Sequence, residues 1–324
     1  METKKINCAI VGLGRIGSTL EFDRKREKPA SHAGVISAHK ECVLSSGCDI
    51  DEAKCSNFKN DWNCPDCYTS LSQMLENHRI DILHIATPPE THKNILEKAI
   101  ESKIPVIIVE KPVSDNLKDA VKIEKMSLKS DSRIIVNHER RYTQQTERIK
   151  KNINECRYGK LLSINSKMYM GRKRSLESMI YDDGTHIIDL INYLSGGCLR
   201  IDDITGSEKE GHVSVYAHCS EIYIQMEFAR GREYLLFETD LSFEKGRIIS
   251  GNGYYDEFES RESPYYENFY SLMNKDVNFS TSGYFIRMFE DAVRCFKDPG
   301  LVPVSDITDG VNAVRIINEI IRKI

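Results

Sequence analysis

The sequence of 324 residues lacks an excess of either charge and lacks any long apolar run. Its 45 Lys and Arg residues nearly balance 49 Asp and Glu residues, and the formal net charge is −4. No global basic field therefore attracts nucleic acid or a membrane surface. No stretch approaches the roughly 20 apolar residues that a membrane-spanning helix needs. No separate apolar leader precedes the first predicted strand, so we expect a cytoplasmic protein.

The sequence also lacks the cysteine patterns of a zinc site or a disulfide scaffold. Its ten cysteines are scattered from Cys8 to Cys295, which favours a reduced compartment in a chain of this length. Cys64 and Cys67 form one C-x-x-C pair, but a zinc knuckle would need a second pair. We therefore expect no metal site. We interpret the pair as an ordinary turn, with a redox disulfide as the alternative.

Strand and helix patterns alternate from residue 5 to about 140. Each short apolar run is followed by a segment whose apolar residues have helical spacing. This alternation predicts a doubly wound parallel sheet with right-handed crossovers. A helix is predicted from about Arg15, but a polar stretch rich in Lys and Arg follows at 21–34. This stretch, the basic insert, is predicted to be a loop in the first crossover, with the helix resuming at Gly34.

The pattern changes after residue 140. Short strands with alternating apolar residues occupy 210–256 and predict an antiparallel sheet, and two amphipathic helices end the chain. We therefore predict two domains. Residues 1–140 form a Rossmann-type α/β domain, and 141–324 form an α+β domain with an open, mostly antiparallel sheet. In one alternative, the last helix packs back on the first domain.

A glycine-rich turn follows the first predicted strand. Gly12, Gly14 and Gly17 have the G-x-G-x-x-G spacing of a strand that turns into a helix over a pyrophosphate. Gly12 permits the tight turn, Gly14 lets phosphate approach the backbone, and Gly17 lets the helix pack on the strand. Arg15 and Ile16 begin that helix, whose free N–H groups can bind phosphate. The turn therefore predicts dinucleotide binding.

An acidic residue at the end of the second predicted strand indicates which dinucleotide binds. Asp49 can accept both hydroxyl groups of the adenosine ribose of NAD and would repel the 2′-phosphate of NADP. Ile50 and Asp51 follow it, so no arginine is placed for that phosphate. We expect NAD, with NADP as the less favoured alternative because of Arg15 and the basic insert. A turn-forming role for Asp49 is the structural alternative.

Four segments occur in the order found in one known family. They are GLGRIG (12–17), ATPPETH (86–92), EKPV (110–113) and DDGTHIIDL (182–190). Together they resemble the glucose–fructose oxidoreductase / inositol dehydrogenase / rhizopine-catabolism family over essentially the whole chain. The resemblance implies a Rossmann domain followed by a domain with an open antiparallel sheet. It also implies NAD(P)-dependent oxidation of a secondary alcohol on a sugar, nucleotide sugar or cyclitol, or the reverse reduction, in a homodimer or homotetramer assembled through that sheet.

The resemblance also implies catalytic residues. Lys111 matches the lysine of the family's EKP motif, and Asp182 and His186 match the acid and the histidine of its second motif. A histidine is suited to take a hydroxyl proton at neutral pH, and a lysine can stabilise the developing alkoxide. Asp182 can contact the substrate or orient the imidazole, and Asp183 is the alternative acid. We expect Lys111, Asp182 and His186 to be catalytic and to bind substrate.

The remaining candidates lie at strand ends or near the second motif. Cofactor contacts are predicted for Thr87, Pro88, His92, Glu110, Lys111 and Asn137. For His92, helix capping and packing explain the residue equally well. Substrate contacts are predicted for Arg141, with structural pairing as the alternative, and for Arg172. The basic turn at 172–174 favours an anionic substrate such as a nucleotide sugar or sugar acid, and a solvated turn is its alternative.

The leading hypothesis is an NAD-dependent oxidoreductase that acts on a sugar-like small molecule. One alternative is a glycoside hydrolase that uses NAD transiently, through oxidation, elimination, hydration and reduction. Another is a non-catalytic dinucleotide-binding sensor, against which the retained Lys111, Asp182 and His186 argue. Family members often carry a Gly-Gly pair before the second motif, where this chain has ESMIYDDG, so we expect the substrate side to differ. The basic insert is expected to fold over the adenosine end or to meet a neighbouring subunit.

Overall fold

A computed structural model of the chain describes residues 5–171, 174–277 and 283–324. Within these ranges, no helix is both long enough and apolar enough to cross a membrane. The same ranges contain no cluster of three or more His, Cys, Asp or Glu side chains that could hold a metal ion. The chain divides into two compact units.

The two units are not simple halves of the sequence. The first unit consists of Met1–Tyr142 and Gly283–Val314, and the second consists of Thr143–Ser282 and Arg315–Ile324. The change at residue 142 lies close to the predicted boundary at 140. The prediction differs for Gly283–Val314, which it assigned to the second domain.

A six-stranded sheet forms the centre of the first unit. Its strands are β1 (Ile6–Val11), β2 (Cys42–Cys48), β3 (Asp66–Tyr68), β4 (Ile82–Ile85), β5 (Val106–Val109) and β6 (Arg133–Val136). The strand order is β3-β2-β1-β4-β5-β6, and the described neighbours all run parallel. This confirms the predicted Rossmann-type sheet. The order reverses between β1 and β4, which is where ligands bind in doubly wound sheets, at the carboxyl ends of the strands.

Helices cover both faces of this sheet. They are α1 (His32–Ala38), α2 (Glu52–Trp62), α3 (Leu71–Asn77), α4 (Pro89–Glu101) and α5 (Leu117–Ser127), with α9 (Tyr284–Lys297) and α10 (Ile307–Ile321) from the end of the chain. Alternate side chains of a strand point to opposite faces. Ile10 and Val11 of β1 accordingly belong to two different apolar clusters, one on each face.

The apolar faces of α9 and α10 explain why the first unit includes them. Phe285, Met288 and Phe289 lie three and four residues apart on α9 and are buried in the cluster that contains Ile10. Val311 and Val314 of α10 are buried in the other cluster. The pattern of the amphipathic helices was visible in the sequence, but the sheet they would cover was not. One predicted alternative places the last helix on the first domain. Residues of α10 up to Val314 do belong to the first unit, and the rest of the helix belongs to the second.

The basic insert is a loop that interrupts the helix following the glycine-rich turn. The helix predicted from Arg15 is a single turn, followed by a 3-10 helix at Thr19–Phe22. The helical hydrogen bonds resume in α1, whose first two N–H groups donate to the carbonyl oxygens of Ile16 and Gly17 over 3.0 Å. The helix therefore resumes two residues earlier than predicted, because Ser31 caps it.

The insert is held by residues of the first unit. The carboxylate of Glu21 accepts hydrogen bonds from the N–H of Ala30 at 2.7 Å and from the hydroxyl of Ser31 at 3.0 Å. The carboxylate of Glu27 accepts one from the N–H of Gly283 at 2.7 Å. These contacts anchor the loop at both ends without a partner molecule. The predicted roles over the adenosine end or at a neighbouring subunit remain untested.

An eight-stranded sheet forms the second unit. Its strands are β7 (Leu161–Met170), β8 (Arg200–Ser207), β9 (His212–Cys219), β10 (Ile222–Arg230), β11 (Leu236–Phe243), β12 (Gly246–Gly251), β13 (Tyr254–Glu262) and β14 (Tyr270–Lys275). The order is β14-β13-β12-β11-β7-β10-β9-β8. Among the described strands, β7 and β10 pair in parallel and the other neighbours are antiparallel. This confirms the predicted, mostly antiparallel sheet.

Helices α6 (Gln144–Asn154), α7 (Leu176–Met179) and α8 (Thr185–Ser195) accompany this sheet. Helix α8 is apolar on nearly all sides, and the residues of Thr185–Ser195 are buried except Tyr193. Such a helix needs cover on several sides, and α8 contacts both β7 and α6. It ends at Gly196, whose left-handed backbone (φ +108°) agrees with the predicted stop at the Gly-Gly pair.

One cysteine pair is bonded in the second unit. A disulfide joins Cys198, in the turn after α8, to Cys219 at the end of β9. The other eight cysteines are free, including Cys64 and Cys67. The thiol of Cys64 donates to the carbonyl oxygen of Asp66 at 3.3 Å, as in an ordinary turn. Sequence reasoning did not find the Cys198–Cys219 bond, because the two residues form no motif and are brought together only by the sheet.

A buried carboxylate ties α6 to the second sheet. Glu257 on β13 is fully buried, and the guanidinium of Arg148 donates to its two oxygens at 2.7 and 3.1 Å. The hydroxyl groups of Tyr158 and Tyr255 also donate to it. Burial by itself raises the pKa of Glu257, but these hydrogen bonds outweigh it and lower the pKa to about 2. The group therefore stabilises the folded state as an anion.

We expect Glu257→Gln to reduce the acid sensitivity of the fold. The folded pKa of about 2 lies below the ordinary value of 4.5, so the contribution is complete above pH 4.5 and is lost as the pH falls toward 2. Wild type should lose about 1 kcal/mol more unfolding free energy than the variant between about pH 6 and pH 3, once partial solvent screening is allowed for. Urea denaturation at both pH values measures this. Glu262→Gln, at the exposed end of β13, is the control, and an equal acid response in Glu257→Gln would contradict the prediction.

Candidate functional site

The glycine-rich turn after β1 has the backbone that its spacing predicts. Gly12 has a φ angle of +92°, which residues with a side chain rarely adopt. A Cβ atom on Gly12 would lie 2.6 Å from the carbonyl group of Ala86, and one on Gly17 would collide with the carbonyl oxygen of Gly12. A Cβ on Gly14 would meet nothing within 4 Å. The two tight positions and the open space at Gly14 therefore fit a bound pyrophosphate.

The carboxylate of Asp49 lies directly beside this turn. Its Oδ2 accepts a hydrogen bond from the N–H of Leu13 at 2.9 Å, and its Oδ1 accepts one from the N–H of Asp51 at 3.0 Å. These two bonds orient the carboxylate, and each oxygen keeps a second lone pair for a ribose hydroxyl. Lys54 Nζ lies 3.5 Å from Oδ2. Sequence reasoning did not single out this lysine, although one helical turn from the Asp51 cap of α2 to Lys54 brings it back toward β2.

His92 connects two of the predicted loops. It is fully buried, with Nε2 2.8 Å from the carbonyl oxygen of Thr87 and Nδ1 3.1 Å from that of Pro112. Burial lowers the pKa of His92. Both ring nitrogens thus face backbone, which favours the packing alternative over a direct ligand contact. Pro88 is the N-cap residue of α4, and its neighbour Thr87 accepts a hydrogen bond from the hydroxyl of Thr91.

Glu110 and Asn137 follow β5 and β6 and meet each other. The amide Nδ2 of Asn137 donates to Glu110 Oε1 at 2.6 Å. His32 Nε2 lies 2.9 Å from the same oxygen, and His32 Nδ1 lies 2.8 Å from His84 Nδ1. Sequence reasoning missed both histidines. The available signal was a histidine inside the apolar strand DILHIAT and another directly after the helix-capping Ser31.

Lys111 follows Glu110 and lies within electrostatic reach of two carboxyl groups. Burial raises the pKa of Glu110, but hydrogen bonds from His32 and Asn137 and the charge of Lys111 outweigh it, so the pKa is lowered. Burial also raises the pKa of Glu139, and the charge of Lys111 opposes that effect. The charge of Lys111 therefore favours the ionised form of both carboxyl groups. The EKP motif presents a cation and an anion at the same strand end.

In the second unit, Asp182 and His186 lie at a change of helix type. Residues Ile180–Gly184 form one turn of π-helix, which continues directly into α8. Such single turns occur often at functional sites. His186 is buried except for 9% of its surface, and its ring lies edge-on to Phe237 at 6.3 Å. The two motif residues are thus presented on adjoining turns of one continuous helical segment.

Arg174 pairs with both acids of the motif. Its guanidinium contacts the carboxylate of Asp182, and Nη1 lies 2.7 Å from Asp183 Oδ2. Arg172 and Lys173 lie outside the described residues. Of the predicted basic turn, Arg174 therefore pairs with acids of its own chain, with 44% of its side-chain surface exposed. Sequence reasoning missed this pairing because charge alone does not identify the partner.

Arg141 is also engaged within its own unit. It is 3% exposed, its guanidinium pairs with both oxygens of Asp309 at 2.9 Å, and Nη1 donates to the carbonyl oxygen of Val304 at 2.7 Å. A bidentate pair of this kind holds the guanidinium in a fixed orientation. The structure therefore favours structural pairing, of the two alternatives for this residue, over substrate binding.

The parallel sheet, the glycine-rich turn and Asp49 define the first unit as a dinucleotide-binding Rossmann domain. The family model described as "Oxidoreductase family, NAD-binding Rossmann fold" (GFO_IDH_MocA) matches residues 6–138. Residues 6–138 of the chain are similar to this family, and the match ends before the second unit begins.

Curated relatives are dehydrogenases. The chain is 24% identical over 173 residues to 1-carboxy-3-chloro-3,4-dihydroxycyclo hexa-1,5-diene dehydrogenase of Comamonas testosteroni, covering 50% of this chain and 43% of that protein. It is 23% identical over 198 residues to inositol 2-dehydrogenase of Corynebacterium glutamicum, covering 60% and 55%. These matches span about half the length of the relatives. The match to inositol 2-dehydrogenase 1 of Paenarthrobacter aurescens is longer, at 26% identity over 77% of this chain and 75% of that protein.

Solved structures resemble the chain over its full length. A dehydrogenase from Chromobacterium violaceum aligns with a TM-score of 0.81 at 16% identity, covering 99% of this chain and 96% of that one. The WlbA dehydrogenase of Bordetella pertussis, in complex with NADH and UDP-GlcNAcA, aligns with a TM-score of 0.75 at 17% identity, covering 98% and 96%. At these identities the similarity establishes the fold of both units.

Proposed function

We propose that the chain is an NAD-dependent oxidoreductase that transfers a hydride between nicotinamide and a secondary alcohol or ketone of a sugar, nucleotide sugar or cyclitol. The observation that carries the proposal is the carboxylate of Asp49, oriented by the N–H of Leu13 in the glycine-rich turn. It supports a ribose carrying two free hydroxyl groups, because a 2′-phosphate would meet a fixed negative charge. The match of residues 6–138 to an NAD-binding family model and the dehydrogenase names of the relatives support the same activity.

The residues of the first unit fit this cofactor. The turn that contains Gly12, Gly14, Arg15, Ile16 and Gly17 would hold the pyrophosphate, and Asp49 the adenosine ribose. The nicotinamide half would lie toward the ends of β4, β5 and β6, which carry Thr87, Pro88, Glu110, Lys111 and Asn137. His92 would act on this half indirectly, by holding the loops of Thr87 and Pro112. When bound, NAD supplies the group that accepts or returns the hydride.

We propose that Lys111, Asp182 and His186 handle the proton that must leave or return with the hydride. An imidazole can take the hydroxyl proton, which assigns His186 as the base. A lysine can donate a hydrogen bond to the developing alkoxide, which assigns Lys111. Asp182 would orient the substrate or the imidazole, and its carboxylate contacts the guanidinium of Arg174. Because Arg174 is paired, we no longer derive an anionic substrate from the basic turn.

We further propose that the protein is a cytoplasmic homodimer or homotetramer assembled through the second sheet. Large aromatic side chains on that sheet support this, including Tyr223, which is 76% exposed, and Tyr216. The eight free cysteines support a reduced compartment. Sedimentation equilibrium of the purified chain tests the assembly, and a monomer at micromolar concentration would contradict it.

Cofactor choice is the first test of this function. We expect the protein to bind NADH more tightly than NADPH in a fluorescence titration. Asp49→Ala should weaken NADH binding by about tenfold or more, because a hydrogen-bonded anion is lost, and should reduce the preference over NADPH. Asp61→Ala, on an exposed position of α2, is the matched control. Binding of neither nucleotide by wild type would refute the proposed function.

A further inference from the structure

Two buried histidines and Glu110 form a linear chain in the first unit. His84 lies on β4 and His32 is the first residue of α1, and both are fully buried. The two Nδ1 atoms are 2.8 Å apart, and His32 Nε2 lies 2.9 Å from Glu110 Oε1. His32 also packs edge-on to Phe285 at 5.2 Å. This hydrogen-bonded series of side chains takes no part in the proton transfer proposed above.

The hydrogen-bond inventory sets the direction of the chain. A carboxylate can only accept, so His32 donates to Glu110 from Nε2. A neutral imidazole has one N–H, so His32 Nδ1 accepts and His84 donates from its own Nδ1. A doubly protonated His32 would instead leave the N–H of His84 Nε2 buried, and that atom has no hydrogen-bond partner among the described residues. The chain therefore runs from His84 through His32 to Glu110.

This hydrogen-bonded series is closed to solvent at His84 and reaches the surface at Glu110. His84 is enclosed, with its ring 5.2 Å from that of Phe289, so it offers no path for a proton to solvent. The side chain of Glu110 keeps 11% of its surface exposed. The arrangement is therefore a support that holds one carboxylate in place rather than a proton relay.

The strand order places Glu110 on the nicotinamide side of a bound dinucleotide. Asp49 follows β2 and the glycine-rich turn follows β1, whereas Glu110 follows β5, beyond the point where the strand order reverses. A dinucleotide that lays its adenosine ribose on Asp49 and its pyrophosphate on the turn extends its other end toward β4 and β5. The nicotinamide ring carries a positive charge in NAD⁺ and none in NADH. A fixed carboxylate nearby therefore discriminates between the two forms.

We propose that His32, supported by His84, is a positioning residue that holds Glu110 as an oriented anion, and that this anion makes the protein prefer NAD⁺ over NADH. The inference rests on the proposed function only in taking NAD as the cofactor. The charged and titratable groups around Glu110 include Lys111, His32, His92 and Glu139. Glu110 Oε1 accepts hydrogen bonds from His32 Nε2 at 2.9 Å and from Asn137 Nδ2 at 2.6 Å, and both stabilise the ionised carboxylate.

The test compares the dissociation constants of NAD⁺ and NADH by calorimetry, without substrate. His32→Leu removes the donor to Glu110 and keeps an apolar side chain against Phe285. We expect NAD⁺ binding to weaken by about tenfold and NADH binding to change by less than about twofold, since a hydrogen bond to a charged group is lost. His32→Gln should restore the wild-type ratio, because its amide can donate to Glu110 and accept from His84.

Two further variants make the result decisive. His39→Leu is the control, since His39 packs on Phe289 but makes no contact with Glu110. Glu110→Gln removes the charge and preserves the shape, and it tests the inference even where His32→Leu fails to fold. An unchanged ratio of NAD⁺ to NADH affinity in Glu110→Gln, or an equal loss of both in a folded His32→Leu, would overturn the inference. Those outcomes leave the proposed function intact, whereas a wild type that binds neither form refutes both.

Discussion

Lys111→Ala is expected to lower kcat by about 10²-fold or more, in the range typical for loss of an acid–base or alkoxide-stabilising group. The reason is position and chemistry together. Lys111 follows β5 at the ligand-binding edge of the sheet, and its charge reaches both Glu110 and Glu139. Cofactor affinity should change little, because the pyrophosphate and ribose contacts lie on β1 and β2. Steady-state turnover and NADH titration on the same preparation measure both quantities.

A matched control separates catalysis from general charge effects. Lys118→Ala removes an exposed lysine of α5, seven positions along the chain, and should leave turnover within about twofold of wild type, as is usual for surface substitutions. If Lys111→Ala retained near-normal turnover, Lys111 would not be the alkoxide-stabilising residue. The sensor hypothesis would then gain support if the cellular phenotype of that variant were also unchanged.

His186→Ala is expected to have an effect of the same size on kcat. The histidine lies on the first turn of α8, directly after the π-helical turn that carries Asp182, and a small part of its ring surface is exposed. Loss of a general base typically costs about 10²- to 10⁴-fold in rate. Added imidazole should restore part of the activity if the missing group is the base itself. Hydride transfer is followed by the absorbance of NADH.

The control for this variant is His218→Ala, a partly exposed histidine of β9 that pairs with Asp202 at 2.7 Å. It should leave turnover unchanged. Near-normal turnover in His186→Ala would remove that residue as the base. Comparison of Asp182→Asn with Asp183→Asn then decides which acid of the motif serves it. Cleavage of a glycoside without accumulation of NADH by wild type would favour the hydrolase alternative.

Local sequence patterns were sufficient for the parallel sheet and for the mostly antiparallel character of the second sheet, but not for its strands β8 and β14. Alternating strand and helix segments from residue 5 to 140 require parallel pairing, because the crossover helices return the chain to the same end of the sheet. Alternation at period two over 210–256 requires strands with one covered face. The glycine-rich turn and Asp49 were found in the same way. Their spacing is local, although the carbonyl group that excludes a side chain at Gly12 belongs to Ala86.

Partners distant in the chain could not be predicted in this way. His32 and Glu110 are 78 residues apart, and nothing in either segment specifies the other. Arg141 pairs with Asp309 across 168 residues, which favours the structural role for that arginine. The Cys198–Cys219 disulfide and the pairing of Arg174 with two acids are further cases. Charge and residue type allow such contacts, but only the packing selects them.

The amino-acid pattern therefore decided the order of strands and helices, the dinucleotide-binding turn and the residue types offered for chemistry, because each depends on neighbours a few positions away. Only the tertiary structure showed that Gly283–Val314 belongs to the first unit and that the basic insert divides a helix. It also showed that Glu110 is hydrogen-bonded to buried His32, which is in turn hydrogen-bonded to His84. These features depend on the burial of apolar faces and on the pairing of buried polar groups. Both are settled only when segments far apart in the chain meet.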